Sequence, residues 1–168
     1  MDILYKTIHG SKLYGLSHEN SDDDFYTVVS KVKTAKARYS THKIIGSEDS
    51  VVVDFGTWLM QCEKGVPQAL EAMFSETPLV DKIPELRRGF RVGTEVYDTY
   101  LRTIKSSALT GDFKKKRHSL RLAFNMKSIR QRGRFNPTLT EMQKEIATGL
   151  ASLPDQYVYD WAKEIAWS

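Results

Sequence analysis

The sequence predicts an α+β chain: a small mixed β-sheet followed by a helical C-terminal region. Three observations predict it. β-Branched and aromatic runs are confined to the first third, apolar spacing switches from period two to helical intervals at Phe55, and Gly and Pro punctuate the remainder of the chain. A chain of 168 residues is long enough for one core but not for two ordinary domains. Residues 1–81 are therefore read as the sheet-bearing core and 82–168 as a helical region packed on it, in one compact unit.

Ile3, Leu4, Tyr5, Thr7 and Ile8 have strand composition and run into His9-Gly10-Ser11, where glycine breaks the pattern. Ser11 to Gly15 reads as a short helix, Asn20 to Asp24 as a polar turn, and Phe25 to Val29 as a second strand. Residues 31–43 are basic and aperiodic, an exposed connection or short helix. Ile44-Ile45 and Ser50-Val51-Val52-Val53, around a Gly46-Ser47 turn, give a third strand region. Phe55, Trp58, Leu59, Cys62 and Val66 then sit at helical intervals, with Asp54 placed to cap that helix. Gly65 ends it, and Pro67 opens the next, which carries Ala69, Leu70, Met73 and Phe74. Further helices are expected over 91–107, 114–133, 141–150 and 158–167.

Apolar residues make up 40% and charged residues 27%, the balance of a chain that folds. No run approaches the roughly 18 to 20 apolar residues of a membrane span, and the N-terminus lacks a signal-peptide layout, so a cytoplasmic protein with no membrane partner is expected. The single cysteine, Cys62, cannot form an internal disulfide and is read as buried packing. The net charge of +4 conceals an asymmetry. Residues 1–81 carry 8 Lys/Arg against 12 Asp/Glu, residues 82–134 carry 15 against 4, and residues 135–168 carry 2 against 5. A basic middle segment after an acidic one suits a polyanion-facing surface beside a metal site; its plain alternative is a solvated face.

The most informative segment is Gly10-Ser11-Lys12-Leu13-Tyr14-Gly15 with Ser21-Asp22-Asp23-Asp24 soon after it. On a strand, Asp22 and Asp24 share a face, and two adjacent carboxylates are costly without a cation. Mg²⁺ (or Mn²⁺) relieves the repulsion and keeps positions open for phosphate oxygens. Glycine lets the backbone of the Gly10-Ser11 turn approach an anion closely, and Ser11 can hydrogen-bond it. A calcium-binding EF-hand loop is excluded because its obligatory glycine position is Thr27 here. Lys114, His118, Arg121, Asn125, Ser128 and Arg132 recur at helical spacing as one polar stripe, either an ordinary wet face or a row of phosphate donors.

An apolar strand, Gly10-Ser11, and a nearby Asp22-x-Asp24 together resemble the signature of the DNA polymerase β-like nucleotidyltransferase superfamily. Gly10-Ser11-x-x-Tyr14-Gly15, Ser21-Asp22-x-Asp24, Trp58-Leu59 with Gly65-Val66-Pro67 and Leu70-Glu71, and His118-x-x-Arg121-Leu122 with Gly133 resemble its branch associated with RNA repair, although Val66 departs from that branch's usual asparagine. The resemblance spans residues 8–150 and implies a polymerase β-like palm. It also implies transfer of a nucleoside monophosphate from an NTP, ATP for preference, to an acceptor hydroxyl, with release of pyrophosphate. Asp22 and Asp24 would be the catalytic metal ligands. The third carboxylate would be Asp49, at the head of a strand, with Asp54 as the alternative. The odd spacing of Asp49 and Asp54 lets only one of them reach the site. Gly10, Ser11, Lys12, Tyr14, His118 and Arg121 would bind the nucleotide, and the basic 82–134 segment would receive an RNA or tRNA end. Adenylylation of a protein, and a catalytically silent nucleotide- or RNA-binding module, stand beside this as alternatives.

Overall fold

The computed structural model describes residues 2–17, 23–30, 40–45 and 48–168, with side chains described at 2–17, 23–30 and 50–168. Expectations for Asp22, for 31–39 and for the Gly46-Ser47 turn lie outside the described residues. Strand β1 (Ile3–His9) leads into the single-turn helix α1 (Ser11–Tyr14), and β2 (Asp23–Val29) runs back beside β1. The third strand region is two strands, β3 (Ser40–Ile45) and β4 (Glu48–Asp54), paired antiparallel, so residues 40–43, expected as an exposed connection or short helix, are strand because they pair along β4. β4 lies parallel to β2, so the sheet is mixed. A short strand β5 (Pro78–Asp81) adds to the far side of β1 and gives the order β3-β4-β2-β1-β5 among the described residues.

Period-two burial on β1 turns Tyr5, Thr7 and His9 inward, at 0%, 0% and 6% exposure. Helices α2 (Phe55–Lys64) and α3 (Pro67–Phe74) cover that face. The Tyr5 ring stacks on Trp58 with centroids 5.6 Å apart, and its hydroxyl donates to Ala72 O at 2.6 Å. Thr7 Oγ1 and Ser75 Oγ share a hydrogen bond of 2.6 Å. Trp58 Nε1 donates to Ala69 O at 3.2 Å, so this indole is buried with its one polar atom satisfied. Cys62 is wholly buried, as expected, and its thiol lies 3.5 Å from the same carbonyl. Asp54 caps α2, accepting from Thr57 N at 3.0 Å and Thr57 Oγ1 at 2.6 Å.

The second half is helical. α4 (Pro84–Gly89), α5 (Tyr97–Ala108), α6 (Phe113–Arg132), α7 (Glu141–Leu150) and α8 (Asp155–Trp167) come after β5. The helix expected over 91–107 begins later: Gly93 interrupts it, a 3-10 turn spans Thr94–Val96, and Val92 packs into the core from outside any helix. β5 and α4 are additions, since four residues and a Pro-led six-residue helix carry too little periodicity to read. Asp81 accepts from Arg87 Nη1 at 2.6 Å, and Arg87 also donates to Met73 O and Ser75 O, which ties both elements to α3. One apolar cluster draws on the sheet, on α2 and α3, and on α5, α6 and α8.

Gly65 closes α2 at φ +79°, and a Cβ there would lie 2.5 Å from Val96 Cβ and 2.9 Å from Val96 Cα. Left-handed backbone costs an L-residue roughly 1–2 kcal/mol before any overlap is counted. Gly65→Ala should therefore lower the unfolding free energy by at least about 1–2 kcal/mol, read as a lower urea midpoint at unchanged m-value.

Candidate active site

The strand registers bring three sequence-distant positions abreast at one end of the strands. His9 at the end of β1 pairs with Asp24 near the start of β2, and Asp24 pairs with Asp49 near the start of β4. Asp54 occupies the other end of β4 opposite Val29, five residues and so roughly 16 Å along the strand. Of the two candidates for a third carboxylate, the register sets Asp49 beside Asp24, whereas Asp54 serves α2 as its cap.

The Gly10-Ser11 turn closes over this row. Gly10 has φ +70°, and a Cβ there would fall onto the Asp24 carboxylate, overlapping Oδ2 and lying 3.0 Å from Cγ. The absence of a side chain at residue 10 is what allows the turn to rest against Asp24. A cavity of about 190 Å³ opens at this corner, lined by His9, Gly10, Asp24, Phe25, Val51 and Gln68. It is smaller than the roughly 300–1,000 Å³ typical of small-molecule sites, a volume for part of a ligand rather than a whole nucleotide. Among the described residues no group of three His, Cys, Asp or Glu could hold a metal ion.

Behind the turn lies a buried polar network. Arg121 Nη1 donates to Glu71 Oε1 at 2.7 Å, and Arg121 Nη2 meets His118 Nδ1 at 2.5 Å. The guanidinium carbon sits 3.5 Å from the Tyr14 ring centroid. The Tyr14 hydroxyl donates to Glu71 Oε2 at 2.6 Å, and His9 Nε2 lies 3.9 Å from that same oxygen. Arg121 and Glu71 are each 1% exposed. Burial alone would raise the Glu71 carboxyl, but Arg121, His9 and the Tyr14 hydroxyl together hold it below the usual value. Burial pushes the Tyr14 phenol well above its ordinary value, which keeps it a neutral donor. A guanidinium can only donate, so His118 Nδ1 accepts and the imidazole carries its proton on Nε2.

This geometry corrects the polar stripe read on α6. Lys114 and Arg132 at its ends are exposed, but Arg121 and Asn125 in its middle are buried, Arg121 against Glu71 of α3 and the Tyr14 ring of α1. Arg121 is not an open phosphate donor; its charge is neutralised by Glu71. Lys12 is paired with Asp23 at the surface, and Tyr14 faces inward to Glu71. Glu71 and His9 are members of this site that sequence reasoning missed. The signal for Glu71 was a lone carboxylate within Ala69-Leu70-Glu71-Ala72-Met73-Phe74, every residue of which is buried.

No family model and no curated protein matches the chain. Among solved structures it is similar to a nucleotidyltransferase-like protein from Exiguobacterium sibiricum, with 9% identity and a TM-score of 0.40 over 99% of this chain and 69% of that one. No described helix is long and apolar enough to cross a membrane.

Breaking a buried pair on one side strands the other charge, at a cost of roughly 3–5 kcal/mol. Glu71→Gln should lose about that much stability in chemical denaturation. His118 adds a pH effect. Burial, then the Arg121 charge, push its imidazole from 6.5 down to about 4, with Glu71 opposing. Between those values the unfolded chain binds a proton that the native chain refuses, so stability falls as pH falls through that window, by at most about 3 kcal/mol. The depressed Glu71 carboxyl adds its own loss only below about 4.5. His118→Gln keeps an acceptor for Arg121 and should flatten the slope between pH 6.5 and 4.

Proposed function

We propose that the chain is a nucleotidyltransferase of the polymerase β-like kind, in the branch associated with RNA repair. It moves a nucleoside monophosphate from an NTP, ATP for preference, to an acceptor hydroxyl at an RNA or tRNA end. The observation that carries this reading is the fit of Gly10 against Asp24. A backbone turn with no side chain, stacked on a carboxylate, is the arrangement needed where a phosphate and its counter-ion meet. The adjacent cavity, with Gln68 as a neutral donor on its wall, supplies room for that group.

Asp24 fits a hard divalent cation by chemistry, and Asp22 and Asp49 are the residues proposed to complete its ligand set. Bound there, Mg²⁺ or Mn²⁺ neutralises the phosphate oxygens and lowers the cost of charge building on the leaving group. The acceptor oxygen forms a new bond to the α-phosphorus as the bond from that phosphorus to the bridging oxygen breaks. Pyrophosphate departs with that electron pair, and the hydroxyl proton passes to the third carboxylate or to water. The chain's own contribution is positional: Gly10 and Ser11 hold the triphosphate, and the Tyr14–Glu71–Arg121 network keeps the turn in place.

Asp22→Asn with Asp24→Asn should abolish NTP turnover while leaving the fold intact, measured by transfer of label from α-³²P NTPs to RNA and, in parallel, to protein in a cell extract. Unchanged turnover in the double variant would remove the reading. Label appearing only in protein would replace the RNA acceptor with a side-chain hydroxyl.

A further inference from the structure

We infer that Arg88, Arg91, Arg132 and Arg134 form an anchoring surface for the phosphate backbone of a single-stranded RNA whose end lies in the Gly10/Asp24 corner. The inference rests on the acceptor reading above and gives it a location.

The cluster forms where two distant segments meet. Val92 N donates to Gly133 O at 2.8 Å, which joins the chain after α4 to the end of α6. Arg91 Nη1 and Arg134 Nη1 both donate to the carbonyl of Arg88, each at 2.8 Å. Two atoms within 2.8 Å of one oxygen are at most about 5.6 Å apart, so two guanidinium groups are held side by side. Arg88, Arg91 and Arg132 are exposed, and Arg134 is half-buried over the Phe74 ring. Among the described residues none of the four is in an ion pair with a carboxylate, and Glu76 is the acid felt at Arg134. Arg87 shows the contrast: bound to Asp81, Met73 O and Ser75 O, it is a structural residue.

The Arg88 carbonyl uses both of its lone pairs on these two donors, and Arg91 Nη1 also reaches Phe90 O at 2.8 Å, so backbone oxygens hold the two cations close with no acid among the described residues paired to them. Convergent planar donors with no carboxylate partner keep guanidinium N–H groups for phosphates, which they bind bidentately. Direction comes from the chain after Arg134. It runs to Thr138, whose hydroxyl donates to Leu13 O at 2.7 Å, and to Leu139, whose N–H donates to Tyr14 O at 3.1 Å. The arginines and the helix that carries the Gly10-Ser11 turn therefore flank one short segment. From Arg134 to Thr138 the span is at most about 14 Å, about four stacked nucleotides at 3.4 Å each. A single strand laid along that segment runs from the arginines toward the helix that carries the Gly10-Ser11 turn.

The test is fluorescence anisotropy of a labelled 12-nucleotide single-stranded RNA without NTP or divalent metal, so that its readout is independent of turnover. Arg91→Gln with Arg134→Gln should weaken binding roughly tenfold at low salt and reduce the slope of log K against log salt by about 1.4. Arg91→Lys with Arg134→Lys should keep the slope. The matched control, Arg102→Gln with Lys105→Gln on exposed α5, removes the same charge and should leave affinity within about twofold. Thermal unfolding checks each variant, and Arg88→Gln with Arg132→Gln repeats the test if the first pair does not fold. Equal loss in the α5 control, no loss in the arginine variants, or displacement of the RNA by polyglutamate at equal charge would each overturn the inference. Wild-type protein that binds RNA through these arginines yet turns over no NTP would sustain it while removing the transferase reading.

Discussion

Glu71 and Arg121 meet in the dry interior between α3 and α6, and the elements around the corner are arranged about that pair. Each Glu71 oxygen has a strong donor, Arg121 on one side and Tyr14 on the other, with His9 near the second. Desolvating two charges is expensive, and a pair of this kind rarely adds net stability over apolar packing. What it contributes is position. It joins β1, α1, α3 and α6, and because α1 has a single turn and little stability of its own, the Tyr14 bond, with those from Thr138 and Leu139 to α1, holds the Gly10-Ser11 turn against Asp24.

Long periodic elements were legible in the sequence. The helices around Phe55 and Pro67 and the long α6 emerge with the caps expected at Asp54, Gly65 and Gly133, because amphipathic spacing and cap chemistry act within one element. β5 and α4 were not legible, since what holds them lies between elements: β5 pairs with β1, and Arg87 of α4 reaches Asp81 of β5 and Met73 O of α3. The hairpin of β3 and β4 looked like one strand region because only two residues separate the strands in the chain.

The candidate site was half legible. Gly10 and Asp24 carry local signatures of turn and carboxylate chemistry, whereas what separates Asp49 from Asp54 is distance along β4, which the parity argument did not use. The polar stripe failed for a different reason. Helical spacing says that Lys114, His118, Arg121 and Asn125 share a face, but not whether that face meets water. A buried partner carboxylate, 50 residues away in the chain, turned the expected ligand donor Arg121 into an internal tie. His9 gave no signal of its own until the register placed it next to Asp24.

The single thiol has a practical consequence. Cys62 sits on the buried face of α2 against α3, and burial pushes it far from the thiolate form that reacts. A cysteine introduced at an exposed position such as Glu85 or Arg102 would then be the one nucleophilic sulfur open to a maleimide dye. Spin labels or fluorophores can be attached there to track the native chain with its own sulfur left in place.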